Sequence, residues 1–326
     1  MCRGVIGAIA AGGLLWLAAC GGGAEAVAGD GAAPPTPQEL QCQAQGWQRR
    51  VVPTGGLSRL VLWKAPPAGW TGGAIVVLHG GGGQHANFCI ANVALIAPQV
   101  RFTEAALAQG YAVFLLDSSD RTTDEAGRLC GKVWDDEVRT RANLDLPFVE
   151  EVLRTLIPSL RPAGSRRDVY LTGLSSGGYM ATRASRRFGE WITAFAPVSS
   201  GDPYGWFRDC SPRATDRPNV FGAAFDNETR RQIVEPGACD APAYPNEKPW
   251  DGAAGARRAP FRVFHHAQDG IHDRSCVEKL RRQLLAHGHA EAAPLTLDGG
   301  ARRAEAHYWL DAYNAELLAF FAAQRR

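Results

Sequence analysis

Continuous apolar runs too short to be helices recur along this chain, and segments with helical spacing alternate with them. "GAIVVLHG" (73–80), "YAVFLLDSS" (111–119), "DVYLTG" (168–173) and "ITAFAPVSS" (192–200) are apolar through their middles and rich in β-branched and aromatic residues. A strand of that kind must be covered on both faces, which a parallel sheet between helices achieves. "RFTEAALAQG" (101–110), "NLDLPFVEEVLRTLI" (143–157), "GYMATRASRRF" (178–188), "RSCVEKLRRQLLAHG" (274–288) and "LDAYNAELLAFFAAQ" (310–324) carry helical spacing. "FRVFHHA" (261–267) and "APLTLDG" (293–299) predict two further strands, and the alternation of "LSRLVLWKA" (57–65) predicts an early antiparallel one. The expected fold is α/β: a mostly parallel central sheet with helices on both faces. At 326 residues the chain suffices for one large domain of this class.

One stretch breaks the rhythm. Residues 201–260 are rich in proline and carry Tyr204, Trp206, Phe207, Phe221, Phe225, Tyr244 and Trp250 with little periodicity. A loop of that length inside a compact domain is usually functional. The expectation is an insertion over the active site, placed before the strand of residues 261–267. The formal charge of +2 gives no reason to expect a nucleic-acid partner.

The first twenty residues, "MCRGVIGAIAAGGLLWLAAC", have one early cation, an apolar stretch and a small-residue end, the pattern of an export signal. The run is too short and too broken by glycine for a membrane span. "LAAC" resembles a bacterial lipobox, which implies a signal peptide over 1–19 and Cys20 as the lipidated first residue of the mature chain. Gly21 does not match the aspartate that tends to retain such proteins at the inner membrane, so the resemblance implies the outer membrane. Contact with the membrane is then through the N-terminal lipid alone. Residues 21–38 have almost no large apolar side chain and read with Cys20 as a flexible tether, leaving 39–326 as the catalytic domain.

Beyond Cys2 and Cys20 the cysteines are Cys42, Cys89, Cys130, Cys210, Cys239 and Cys276, scattered and without a CxxC pair. An even number in an exported chain points to disulfides rather than zinc. Two pairs are expected: Cys210 with Cys239, inside the insertion, and Cys89 with Cys130, which follow strands that should be neighbours.

The chemistry is carried by "DVYLTGLSSGGYMATRAS" (168–185). A serine hydroxyl becomes a nucleophile when a base takes its proton and fixed donors stabilise the oxyanion. One solution puts the serine on a very sharp strand-to-helix turn, with small residues two places to either side because strand and helix converge there. Gly173-Leu174-Ser175-Ser176-Gly177 fits with Ser175 as nucleophile; for Ser176 the bulk of Leu174 would be in the way. Ser176 then contributes its backbone N–H. "LHGGGGQ" (78–84), directly after a buried strand, supplies a second oxyanion donor, the N–H of Gly81, with His79 holding the loop. The acid is expected just past the strand that follows the insertion, at Asp269, with Asp273 and Asp298 as rivals. The base is expected at His307, between the last strand and the last helix. His287 and His289 flank a helix end and read as solvent-facing. "HHAQDGIHD" (265–273) invites a metal reading, but His265 and His266 point to opposite faces of a strand, so no metal and no cofactor is expected.

"VVLHGGGGQ", "VYLTGLSSGGYMATRAS", "AFAPVSSG", "FHHAQD" and "AHYW", in this order, resemble the polyhydroxybutyrate depolymerase and feruloyl esterase-like group of α/β-hydrolases over roughly residues 55–325. The group's H-G-x-x-D stands here as His265-His266-Ala267-Gln268-Asp269, and its G-H-x-W as Ala306-His307-Tyr308-Trp309. The resemblance implies ester hydrolysis through an acyl-enzyme, without a metal, on hydroxyalkanoate oligomers or on feruloyl or acetyl esters of sugars. A serine peptidase or lipase on the same fold, and a non-catalytic lipid-anchored scaffold, are the competing readings.

Overall fold

In the computed structural model the described residues are 33–124, 126–136, 141–202, 223–226, 231–234, 239, 250–302 and 304–326. The calls on Cys20, on Cys210 and on most of the 201–260 insertion lie outside them. No helix among the described residues is long and apolar enough to cross a membrane.

The chain opens with helix α1 (Pro37–Ala44), which begins inside the stretch read as tether. A capping box fixes its start. The Glu39 N–H donates to the Thr36 hydroxyl at 3.2 Å, and the Thr36 N–H donates to the Glu39 carboxylate at 2.6 Å. Strands β1 (Gln48–Thr54) and β2 (Leu57–Lys64) form an antiparallel hairpin around Gly55 and Gly56, both at positive φ as such a two-residue turn requires. Strand β3 (Gly73–Leu78), helix α2 (Ala97–Ala108) and strand β4 (Tyr111–Leu116) follow. Next come helix α3 (Leu146–Glu151), a π-helical turn (Val152–Leu156) and helix α4 (Ile157–Leu160). Strand β5 (Val169–Leu174), helix α5 (Ser176–Arg187) and strand β6 (Ala194–Val198) lead into the insertion. Its described part includes an antiparallel pair, β7 (Ala223–Asp226) with β8 (Arg231–Val234). Strand β9 (Phe264–His266), helix α6 (Arg274–Ala286), strand β10 (Leu295–Leu297), helix α7 (Ala304–His307) and helix α8 (Asp311–Ala323) complete the chain.

The large sheet has the order β1-β2-β4-β3-β5-β6-β9-β10. It is antiparallel only from β1 to β4 and parallel from there on. The pleat divides each buried strand between two cores. Ala74, Val76, Leu78, Ala112, Phe114 and Leu116 face the core under α3, α5 and α6. Ile75, Val77, Val113 and Leu115 face the core under α2 and α8. Every side chain of β3, β4 and β5 is buried, as the continuous apolar runs predict.

Three expectations are corrected. Cys89 pairs with Cys42, not Cys130, because α1 packs beside the turn that follows β3 and brings the two Cα atoms to 5.8 Å. Cys239 pairs with Cys276, not Cys210, because Cys239 sits against the start of α6, its N–H donating to the Ser275 hydroxyl at 3.1 Å and the two Cα atoms 5.0 Å apart. Cys130 is also disulfide-bonded. His289, read as solvent-facing, is buried: its Nδ1–H donates to the Ala259 carbonyl at 2.8 Å.

Candidate active site

The parallel strands deliver their following loops to one edge of the sheet, and the site is assembled there. Ser175 sits between β5 and α5 at φ 51°, ψ −118°, a backbone conformation that costs a non-glycine residue of order 1–3 kcal/mol. The surroundings enforce it. The Ser175 N–H donates to the Val198 carbonyl of β6 at 2.9 Å, and the Ser175 carbonyl accepts from the Tyr179 N–H at 3.0 Å. The two flanking glycines are obligatory. A Cβ on Gly173 would lie 2.4 Å from the Gly177 carbonyl, and one on Gly177 would lie 2.2 Å from the Leu78 carbonyl oxygen. The two serines are in different situations. Ser175 is half-exposed. Ser176 is buried, and its hydroxyl accepts a hydrogen bond from the Trp134 N–H at 3.0 Å.

The four-glycine loop runs alongside. A Cβ on Gly81 would stand 3.8 Å from that of Ser176 and 3.2 Å from a methyl of Val133. The Gly82 N–H is taken by the Lys132 carbonyl at 2.8 Å and the Gly83 N–H by the Gly80 carbonyl at 3.0 Å. None of the described residues accepts from Gly81 N–H. The Ser176 N–H opens α5 and has no intrahelical acceptor. Two N–H groups without an acceptor among the described residues thus lie side by side. His79 supports the loop from below. Its Nε2 accepts from the Ser118 N–H at 3.0 Å, which leaves the proton on Nδ1 to donate to the Gly80 carbonyl at 2.8 Å.

Asp269 and His307 meet after β9 and β10. His307 Nδ1 lies 2.9 Å from Asp269 Oδ2 and 3.1 Å from Oδ1, so the ring proton belongs on Nδ1. Two backbone donors fix the carboxylate as well: Oδ1 accepts from Ile271 N–H at 2.8 Å and His272 N–H at 2.9 Å. Burial would raise the Asp269 pKa, but the charge and hydrogen bond of His307 outweigh it and hold the carboxyl well below the usual range. His265 lies 3.9 Å from Asp269 and is pushed down to about 4, chiefly by burial, so it stays neutral beside the pair at neutral pH. Of the rivals, Asp273 is the N-cap of α6, accepting from the Ser275 N–H at 2.9 Å.

Sequence reading missed the groups that join these parts. His272 stacks on His307 with ring centroids 5.6 Å apart, and its Nε2 is hydrogen-bonded to the Tyr179 hydroxyl, in the first turn of α5. Two side chains therefore connect the helix under Ser175 to His307. The indole of Trp134 donates to the His79 carbonyl at 2.8 Å while its backbone N–H donates to Ser176. That clamp comes from a loop whose sequence offers no periodicity to read.

Residues 75–321 match the model of the family described as the alpha/beta hydrolase family. A search of curated protein sequences finds no match. Among solved structures the chain is similar to an esterase of Pyrococcus furiosus (13% identity, 90% of this chain and 95% of that one, TM-score 0.51). It is similar to an S-formylglutathione hydrolase from Agrobacterium tumefaciens (17% identity, 86% and 95%, TM-score 0.50). It is also similar to the acylaminoacyl peptidase of Pyrococcus horikoshii (14% identity, TM-score 0.51), covering 86% of this chain but 42% of that one. At such identities the likeness is one of fold. The family match spans most of the chain and the sheet order, elbow and loop geometry agree with it: the chain belongs to the α/β hydrolase family.

Proposed function

We propose that this hydrolase cleaves carboxylic esters through an acyl-enzyme on Ser175. The observation that carries the reading is the His307–Asp269 pair at 2.9 Å, on the sheet edge that also holds the strained, half-exposed Ser175. In this mechanism the Nε2 of His307 takes the Ser175 proton as the hydroxyl oxygen attacks the ester carbonyl. Asp269 keeps the imidazole in the required tautomer and balances its charge. The N–H groups of Gly81 and Ser176 hold the oxyanion, and the positive end of α5 adds to the field there. His307 then returns the proton to the departing alcohol. Water attacks the acyl-enzyme by the same route in reverse, releasing the acid and restoring Ser175. The resemblance to depolymerases and feruloyl esterases proposes hydroxyalkanoate oligomers or feruloyl and acetyl esters of sugars as substrates. The "LAAC" run proposes attachment to the outer membrane through Cys20.

The test is a hydrolysis panel of p-nitrophenyl esters, methyl ferulate, hydroxybutyrate oligomers and peptide amides, run on the wild type and on Ser175→Ala. Esters should turn over, the variant should lose several orders of magnitude in kcat, and a serine-reactive phosphonate should label Ser175. Labelling at Ser176, undiminished activity in Ser175→Ala, or turnover of the amides alone would overturn the reading.

A further inference from the structure

Four consecutive glycines have no side chains with which to fix themselves, so the segment holding Gly81 is positioned by the backbone hydrogen bonds of Gly82 and Gly83 and from its ends. Both ends are buried histidines, His79 and His85, and both dock on the residues that follow β4. His79 accepts from the Ser118 N–H. The His85 backbone N–H donates to Asp117 Oδ1 at 3.2 Å, and its ring bridges two carboxylates from different elements. His85 Nδ1 is 3.1 Å from Asp117 Oδ1, and Nε2 is 3.1 Å from Glu39 Oε1 on α1. The ring nitrogens stand at ion-pair distance without aligned hydrogen bonds, so charge attraction is what makes the bridge hold.

We propose that His85 is a positioning residue for the oxyanion loop, and that the loop is seated only while His85 is a cation between Glu39 and Asp117. This rests on the reading of Gly81 as an oxyanion donor. A neutral imidazole has one proton to donate. On deprotonation the ring gives up the charge that attracts both carboxylates and keeps one proton between the two, so the bridge opens and the loop is released at one end.

The other charged and titratable groups around the ring act through the two carboxylates. Arg49 of β1 lies 3.5 Å from Glu39, Lys132 is paired with the second oxygen of Asp117, and His79 Nε2 is 3.3 Å from Asp117 Oδ1. Arg59 of β2 donates to the Asp117 carbonyl at 2.8 Å and is paired with Asp145. Helix α2 packs on the same turn with Thr103, whose hydroxyl donates to the Phe88 carbonyl at 2.7 Å; its Arg101 is exposed and paired with Asp311, and its Glu104 is exposed. The balance favours the cation. Burial pulls the His85 pKa down, but Asp117 and Glu39 together raise it above the ordinary value.

Glu39→Gln isolates the charge, because glutamine preserves the capping box of α1. Three quantities are measured from pH 6 to 10 on wild type, Glu39→Gln and His85→Gln: kcat for p-nitrophenyl acetate, the titration of the His85 imidazole by NMR, and exchange of the amides of residues 80–83. The wild type should lose kcat above the ordinary histidine range, in step with the His85 titration and with accelerated exchange beyond its intrinsic pH dependence. Glu39→Gln should move all three to lower pH by at least about one unit. His85→Gln should lack the alkaline limb, with kcat at neutral pH down roughly 10- to 100-fold and KM little changed. An alkaline limb at the same pH in wild type and Glu39→Gln, or amide exchange that ignores the His85 titration, overturns the proposal. The exchange and NMR arms do not depend on ester turnover. A protein without esterase activity would sink the functional reading while still deciding whether His85 seats the loop.

Discussion

Asp269 and Asp273 stand four residues apart, and their hydrogen bonds give them opposite jobs. Asp269 holds the Nδ1–H of His307; Asp273 caps α6. Asp269→Asn should lower kcat by roughly 10⁴-fold with the fold intact, since the amide cannot hold the imidazole in the same tautomer. Asp273→Ala should instead cost about 1 kcal/mol of stability and leave kcat within a few-fold. Steady-state kinetics and thermal unfolding of the two variants separate these outcomes; a kcat loss larger in Asp273→Ala would reverse the roles. At this scale the sequence is legible where a backbone constraint leaves a chemical trace. The glycines at 173 and 177 mark the elbow because a Cβ there would meet carbonyl oxygens. Nothing comparable marks Trp134, Tyr179, His272 or Asp117. Their roles depend on which loops the sheet brings together, and that is a long-range fact.

Helix α1 changes what the N-terminal region does. A stretch of Gly, Ala and Pro hides its start, yet Thr36-Pro37-Gln38-Glu39 is a capping signature followed by Cys42, and the helix carries one half of a disulfide and one arm of the His85 bridge. The cysteine pairings were unreadable for the same reason: each depends on where a short segment packs, not on spacing along the chain. Closing a loop of 47 residues, the Cys42–Cys89 bond should stabilise the fold by about 4 kcal/mol on the chain-entropy model. Cys42→Ala with Cys89→Ala should therefore lower the unfolding free energy by roughly that amount. It should also raise amide exchange in residues 80–89 more than in β3 to β5. Equal loss of protection across the sheet would argue against a local tie.

The sheet was the most legible part of the molecule, because strands covered on both faces need apolar side chains at every position and say so in the sequence. The edges were less so. Strand β1 is largely exposed and carries Pro53, so its sequence has no alternation to read, and at the other edge β10 forms only three residues of the expected seven. Whole-molecule stability should reflect the buried ionisable groups. His265 and His289 are held neutral down to about 4, chiefly by burial, whereas in the unfolded chain they take up protons near 6.5. Each should erode stability by up to about 1.4 kcal/mol per pH unit between those values. Glu39, held down to about 2, and Asp117, also lowered, add stability that is present above the ordinary carboxylate range and disappears at more acid pH. His85 acts in the opposite sense, its contribution vanishing as pH rises through its raised value. Unfolding free energy should thus peak near neutrality; a maximum at pH 5 would contradict these assignments. The order of residues in α1 also has a mechanical consequence. Glu39 precedes Cys42, so tension applied to the chain ahead of Pro37 peels away the Glu39 arm first and then stops at a covalent bond. A pulling force too weak to unfold the domain would reach the loop of residues 80–83 as a lost carboxylate, and slackening would restore it.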